Sequence, residues 1–130
     1  MRWRSHPLAR DHNQLGVTFY QSGAIDLALE QFKRATKRAP WVASYWLNLG
    51  VALLDGDALD KAESALKRAL ELNPRSQSAH FHLAQLYEKR CDSQVVSKFY
   101  QRTIELRPDS HLAQRARERL EGWRPRFKIS

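Results

Sequence analysis

Five histidines and a single cysteine are the side chains of this 130-residue chain best suited to chemistry. Histidine binds metal ions and moves protons near neutral pH. A metal site needs several such ligands converging on one point. His80 and His82 are two apart, so on a helix they point to different faces. His12 and His80 stand 34 residues to either side of Trp46, and a slot shared with tryptophan indicates packing. No His-x-x-x-His pair, paired cysteines or carboxylate cluster accompanies them. Cys91 has no second cysteine for an internal disulfide, and it carries no signature of a nucleophile. There is no glycine-rich phosphate loop and no Gly-x-Ser-x-Gly. Asp57, Asp60 and Glu63 read as the start of a helix, where carboxylates favour its dipole, with Asp57 as the N-cap. The expectation is a non-enzyme with no catalytic residue, no metal, no cofactor and no small-molecule substrate.

Charge points to a second kind of chemistry. The formal net charge is +8, but it is unevenly spread. Residues 1–10 carry three arginines and no carboxylate; residues 115–130 carry six basic and two acidic side chains. The stretch between them holds 13 basic and 12 acidic residues, and so is almost neutral. The basic ends also carry aromatic rings: Arg2, Trp3 and Arg4 at one end, Trp123, Arg124, Arg126, Phe127 and Lys128 at the other. An indole beside a guanidinium offers an apolar ring together with a group that pairs with carboxylate or phosphate. Three partners fit such ends: an acidic protein surface, an anionic lipid headgroup layer, or an RNA backbone with rings stacked on bases.

What positions these groups is a repeat. Pro40, Pro74 and Pro108 stand 34 residues apart, and a fixed period of this size means stacked copies of one small unit. Leu15-Gly16 recurs as Leu49-Gly50 and Leu83-Ala84; Ala28 as Ala62 and Val96; Phe32 as Leu66 and Tyr100; Ala35 as Ala69 and Thr103. Within each unit apolar residues follow helical spacing. Gly23, Gly56-Asp57 and Cys91-Asp92 separate two helical stretches per unit. Val96 and Thr103 replace small alanines in the third unit, so looser packing is expected there. After Pro108, Asp109-Ser110 can cap one more helix, which carries an apolar stripe of Leu112, Ala113, Ala116 and Leu120.

The motifs Trp46-x-x-Leu49-Gly50-x-x-Leu53, Ala62-x-x-x-Leu66 and Pro74, echoed by His12-x-x-Leu15-Gly16-x-x-Phe19, Ala28-x-x-x-Phe32 and Pro40, resemble the tetratricopeptide repeat (TPR) family. The resemblance implies an all-α fold, a right-handed superhelix of antiparallel helix pairs with seven helices. The expected organisation is a basic aromatic arm (1–8), three repeats (9–42, 43–76, 77–110), a capping helix (111–122) and a basic aromatic tail (123–130).

In this family the first helix of each repeat lines a concave groove. The resemblance therefore implies a partner-binding groove of Asn13, Gln14, Val17, Tyr20, Leu47, Asn48, Val51, Leu54, Phe81, His82 and Gln85. Tyr20, Leu47, Val51, Leu54 and Phe81 read as an exposed apolar row that a partner would cover. The amides beside it both donate and accept, which suits a peptide backbone. Some relatives grip the acidic tail of a heat-shock chaperone with lysine, asparagine and arginine. Here Asn13, Val17, Asn48, Ser78 and His82 occupy the matching positions, and Asn48 alone matches.

The expected function is a protein–protein adaptor, scaffold or assembly subunit, with the termini docking on an acidic partner surface. The alternative is a peripheral subunit bound to RNA or an anionic membrane through its basic ends. Met1-Arg-Trp-Arg-Ser-His-Pro7 lacks the apolar segment of a secretory signal. No stretch approaches the roughly 20 apolar residues of a membrane span. A soluble cytoplasmic chain, peripheral on a larger complex at most, is therefore expected.

Overall fold

The residue before each repeat proline sets the rhythm of the backbone. Ala39, Asn73 and Arg107 adopt φ of −135°, −142° and −151° with ψ of 71° to 88°. Proline bars the helical region to the residue before it, so a helix ends at each point. The computed structural model describes residues 8–123, with only the backbone of Trp123. Among these residues there are seven α-helices and no strand.

Two compact units part between Pro74 and Arg75. The first holds α1 (Ala9–Gln21), α2 (Ile25–Arg38), α3 (Ala43–Asp55) and α4 (Leu59–Leu72). Here α1 packs on α2, α2 on α3 and α3 on α4, and α1 also touches α3. The second holds α5 (Gln77–Lys89), α6 (Ser93–Leu106) and α7 (His111–Trp123), with α6 packed against both others and α7 also touching α5.

Three-residue turns join the helices of each pair, and short turns force them antiparallel. All three turns have the same construction. Gly23, Asp57 and Cys91 occupy the left-handed region at φ of 87°, 60° and 57°. The following residue reaches back to the helix: Ala24 N–H donates to the Phe19 carbonyl, Ala58 to Leu53 and Asp92 to Tyr87, at 2.9, 2.9 and 3.0 Å. This is the Schellman termination, whose left-handed position favours glycine. The second turn corrects the sequence reading. Asp57 is the left-handed residue rather than the N-cap of α4, which is Ala58. Aspartate tolerates that geometry, so Gly56, at φ −87°, is not the residue that needs freedom.

The repeated small slots are where paired helices meet. Ala28, Ala35, Ala62 and Ala69 are fully buried, as are Leu66 and Val96. The third repeat is not looser by burial: Tyr100 is 1% and Thr103 0% exposed. Polar contacts accompany this burial. Thr103 Oγ1 donates to the Phe99 carbonyl at 2.9 Å. Gln77 Nε2 donates to the carbonyls of Thr103 and Arg107 at 2.7 and 3.1 Å, satisfying the end of α6. Ser110 Oγ accepts from Ala113 N–H at 3.0 Å and so caps α7. Beyond it, Ala113 and Ala116 are fully buried. Leu15 departs from its repeat. It is 44% exposed, whereas Leu49 in the same slot is 6% exposed. In the first unit α2 packs on α3, but no described helix precedes α1.

Candidate functional site

In the first unit, α1 and α3 present one continuous face, fixed by two side-chain hydrogen bonds. Asn48 Nδ2 donates to Asn13 Oδ1 at 2.9 Å. Two helical turns further along, the Tyr20 hydroxyl donates to Asp55 Oδ2. Both bonds join residues 35 apart, so they hold α1 and α3 in a single register. Burial pushes the Tyr20 phenol up to about 12, helped by the hydrogen bond to Asp55 and by its charge. Between the two bonds lie Val17 and Val51, both half-buried, with Leu47 half-buried at the edge and Gln14 exposed. The arrangement offers apolar contact flanked by amides.

Two residues expected in the exposed row are not exposed. Leu54 is 3% and Phe81 0% exposed. Helices α3 and α5 are buried on more than one face, so positions off the repeat stripe are also covered. For Phe81 the cover is visible within the second unit. Its ring meets Tyr100 edge-on at 5.7 Å, and the Arg115 guanidinium of α7 stands 4.8 Å over it. Cation–π stacking of this kind fills the space a ligand side chain would need. Beside it, His82 and Gln85 are half-buried, and His82 Nδ1 donates to the Ser78 carbonyl at 2.7 Å.

The other polar groups have structural partners. His12 Nδ1 donates to Gln31 Oε1 at 2.8 Å, and His80 Nδ1 to the Ser76 carbonyl at 2.9 Å. Glu88 accepts from Nε and Nη2 of Arg119, at 3.1 and 2.6 Å, and from the Tyr100 hydroxyl. That cluster ties α5, α6 and α7 together. Burial, then the hydrogen bond to Glu88 and its charge, hold the Tyr100 phenol well above its ordinary range, with Arg119 opposing. Among the described residues no group of three or more His, Cys, Asp or Glu could hold a metal. No helix among them is long and apolar enough to cross a membrane. The basic aromatic positions Arg2, Trp3, Arg4, Arg124, Arg126, Phe127 and Lys128, and the side chain of Trp123, lie outside the described residues.

Sequence reasoning missed one feature. Trp46, read as a packing residue, lines an open cavity between α2 and α4 with Leu49 and Leu53. The signal was present: Trp46 stands where the other repeats have histidine, and Lys61 where they have Leu27 and Val95.

With the helix pairs and their turns in view, the comparisons with known proteins become decisive. The tetratricopeptide repeat profile matches residues 13–71 and 56–93. The chain belongs to the tetratricopeptide repeat family. A 70-residue stretch of this TPR chain is 33% identical to the peroxisomal targeting signal receptor of Candida glabrata. That stretch is 54% of this chain and 12% of the receptor. Among solved structures, the first TPR of Spaghetti (RPAP3) bound to the HSP90 peptide SRMEEVD superposes with a TM-score of 0.80 at 19% identity, covering 88% of this chain and 90% of that one. YrrB, a TPR protein with an unusual peptide-binding site, gives 0.80 at 20% identity, covering 87% of this chain and 58% of that one. At these identities the superpositions establish the fold.

Proposed function

We propose that this TPR chain is a non-catalytic protein-interaction adaptor that holds a segment of a partner on the α1/α3 face of its first unit. The observation that carries this reading is the apolar row of Val17, Leu47 and Val51, flanked by Asn13, Gln14 and Asn48 on helices held in register. Binding proceeds by burial of partner side chains with amide hydrogen bonds to its backbone, and no covalent step. The bond from Asn48 to Asn13 uses one donor and one acceptor, and each amide has further capacity. Peptide binding by the Spaghetti TPR and by YrrB supports the class of ligand. It does not transfer the HSP90 peptide. Of the five positions that match that clamp, Asn13, Val17, Asn48, Ser78 and His82, only Asn48 carries its residue type and none carries a lysine or arginine, so no carboxylate clamp is proposed. In the second unit His82 and Gln85 remain candidate contacts, and Phe81 becomes a core residue.

The termini are proposed to dock on an acidic surface of the same partner. Binding to RNA or an anionic membrane is the alternative, favoured by the concentration of positive charge at the two ends. Salt separates groove-led from tail-led binding: phosphate-led binding weakens by orders of magnitude between about 50 and 200 mM salt, and groove binding changes little.

The test is affinity capture from the native cell at high salt. Wild type is compared with a chain carrying Leu47→Glu and Val51→Glu. A milder pair, Gln14→Arg with Val51→Thr, guards against loss of fold. Loss of one defined partner from both variants, with melting temperature kept in at least one, supports the reading. Retention of that partner by a folded variant overturns it.

A further inference from the structure

The cavity missed from sequence lies on the other side of α3 from the proposed groove. At 100° per residue, Trp46, Leu49 and Leu53 project opposite to Asn48, Val51 and Asp55. Helices α2 and α4 stand apart there, leaving an opening of about 460 Å³ lined by these apolar residues and Ala65. The indole is fixed in place, because Trp46 Nε1 donates to the Pro40 carbonyl at 2.8 Å. The rim is cationic. Lys33 on α2 and Lys61 on α4 stand exposed on its two sides. Arg68 shares the rim with Glu71, which it meets at 3.3 Å in an exposed pair. Three cations thus face one carboxylate.

The occupant follows from this chemistry. An apolar opening bordered by lysines on both sides takes a bulky apolar side chain whose chain neighbours are carboxylates. We propose that this pocket is a second docking site, for a partner segment with a leucine or phenylalanine set among acidic residues. The third repeat has an equivalent opening lined by His80, Lys98, Phe99, Arg102 and Glu105, but the indole and Lys61 are specific to the second. His12 and His80 replace the indole in the others, and Leu27 and Val95 replace Lys61. A chain with two docking faces bridges two segments, rather than gripping one.

The test uses the full chain and an acetylated synthetic peptide with a leucine–phenylalanine pair flanked by three glutamates on each side. Binding is followed by two-dimensional amide NMR. The expected result is saturable shifts at the Trp46 indole and the Lys61 and Ala65 amides, with a dissociation constant of about 10–500 µM. Lys33→Glu with Lys61→Glu, both on exposed residues, should weaken it at least about tenfold. A control peptide with lysines for glutamates should leave the pocket signals unmoved. Absence of shifts at about 1 mM glutamate peptide, shifts at Asn48 and Val51 instead, or equal binding by the charge-reversed chain would overturn the proposal. So would a concentration-dependent dimer abolished by Leu27→Ser, which would assign the pocket to Leu27 of a second copy, exposed beside Asp26 in the first turn of α2. The groove reading is tested by Leu47 and Val51, so the two proposals fail separately.

Discussion

Gly50 stands directly against Leu66: a methyl group added at Gly50 would lie 2.7 Å from Leu66 Cγ and Cδ2 and 3.3 Å from its backbone nitrogen. Leu66 is fully buried, so it has little room to retreat. Two effects oppose one another in Gly50→Ala. The helix gains about 1 kcal/mol from alanine, and the overpacked contact costs about 1–3 kcal/mol. The contact wins, and a net loss of about 1 kcal/mol is expected in chemical denaturation. Unchanged or higher stability would show that α3 and α4 are not held as closely as this contact requires.

The left-handed turn slot makes a prediction of opposite sign. Cys91 sits at φ 57° where Gly23 sits at 87°. A side chain in that region costs about 1–2 kcal/mol, partly offset by the extra freedom glycine gives the unfolded chain. Cys91→Gly should therefore raise stability by up to about 1 kcal/mol, and Gly23→Ala should lower it by about 1 kcal/mol. Thermal melts of the two variants check both directions, and a fall for Cys91→Gly contradicts the turn geometry.

The fold was legible because its determinants are local and repeated. Prolines stop helices, small residues mark close approach, and the 34-residue period repeats both. Burial of individual groove residues was not legible. Whether Leu54 or Phe81 faces water depends on what lies over α3 and α5, and for Phe81 the cover is Arg115 from a different helix. Leu15 departs in the other direction, exposed where Leu49 is buried, since α2 packs on α3 and no described helix precedes α1. Nor could spacing distinguish Gly56 from Asp57 as the left-handed residue, because both types tolerate turns.

The Tyr20–Asp55 bond carries a pH signature. Tyr20 ionises at about 12 rather than at the ordinary 10. A folded-state value above the unfolded one means the stabilisation is complete below pH 10 and is lost as pH rises toward 12. Ultraviolet titration should show two late phenols, Tyr20 and Tyr100; Tyr20→Phe removes the earlier one, and Asp55→Asn lowers it partway toward pH 10, burial remaining. A Tyr20 transition that Asp55→Asn leaves in place would mean the hydrogen bond contributes nothing to the shift.

In the second unit, Glu88 accepts from Tyr100 and from Nε and Nη2 of Arg119. Glu88→Gln removes the anion while keeping the shape. Hydrogen bonds to a charged group contribute about 1.5–3 kcal/mol, discounted here because Arg119 is 53% exposed. A loss of about 1–2 kcal/mol is expected, and hydrogen exchange should rise most in α7. A uniform or negligible change would show that this cluster does not hold α7 in place.

The central claim is that the α1/α3 face takes a partner segment, and photo-crosslinking tests it most directly. Benzoylphenylalanine is placed at exposed Gln14, at half-buried Val51, or at exposed Glu118 on α7, and each chain is irradiated in native extract. Both groove positions are predicted to capture the same protein, with cross-linked peptides mapping to one short segment of it, and Glu118 to capture none of it. Equal capture from Glu118, or none from Gln14 and Val51 while the partner still binds, would contradict the account.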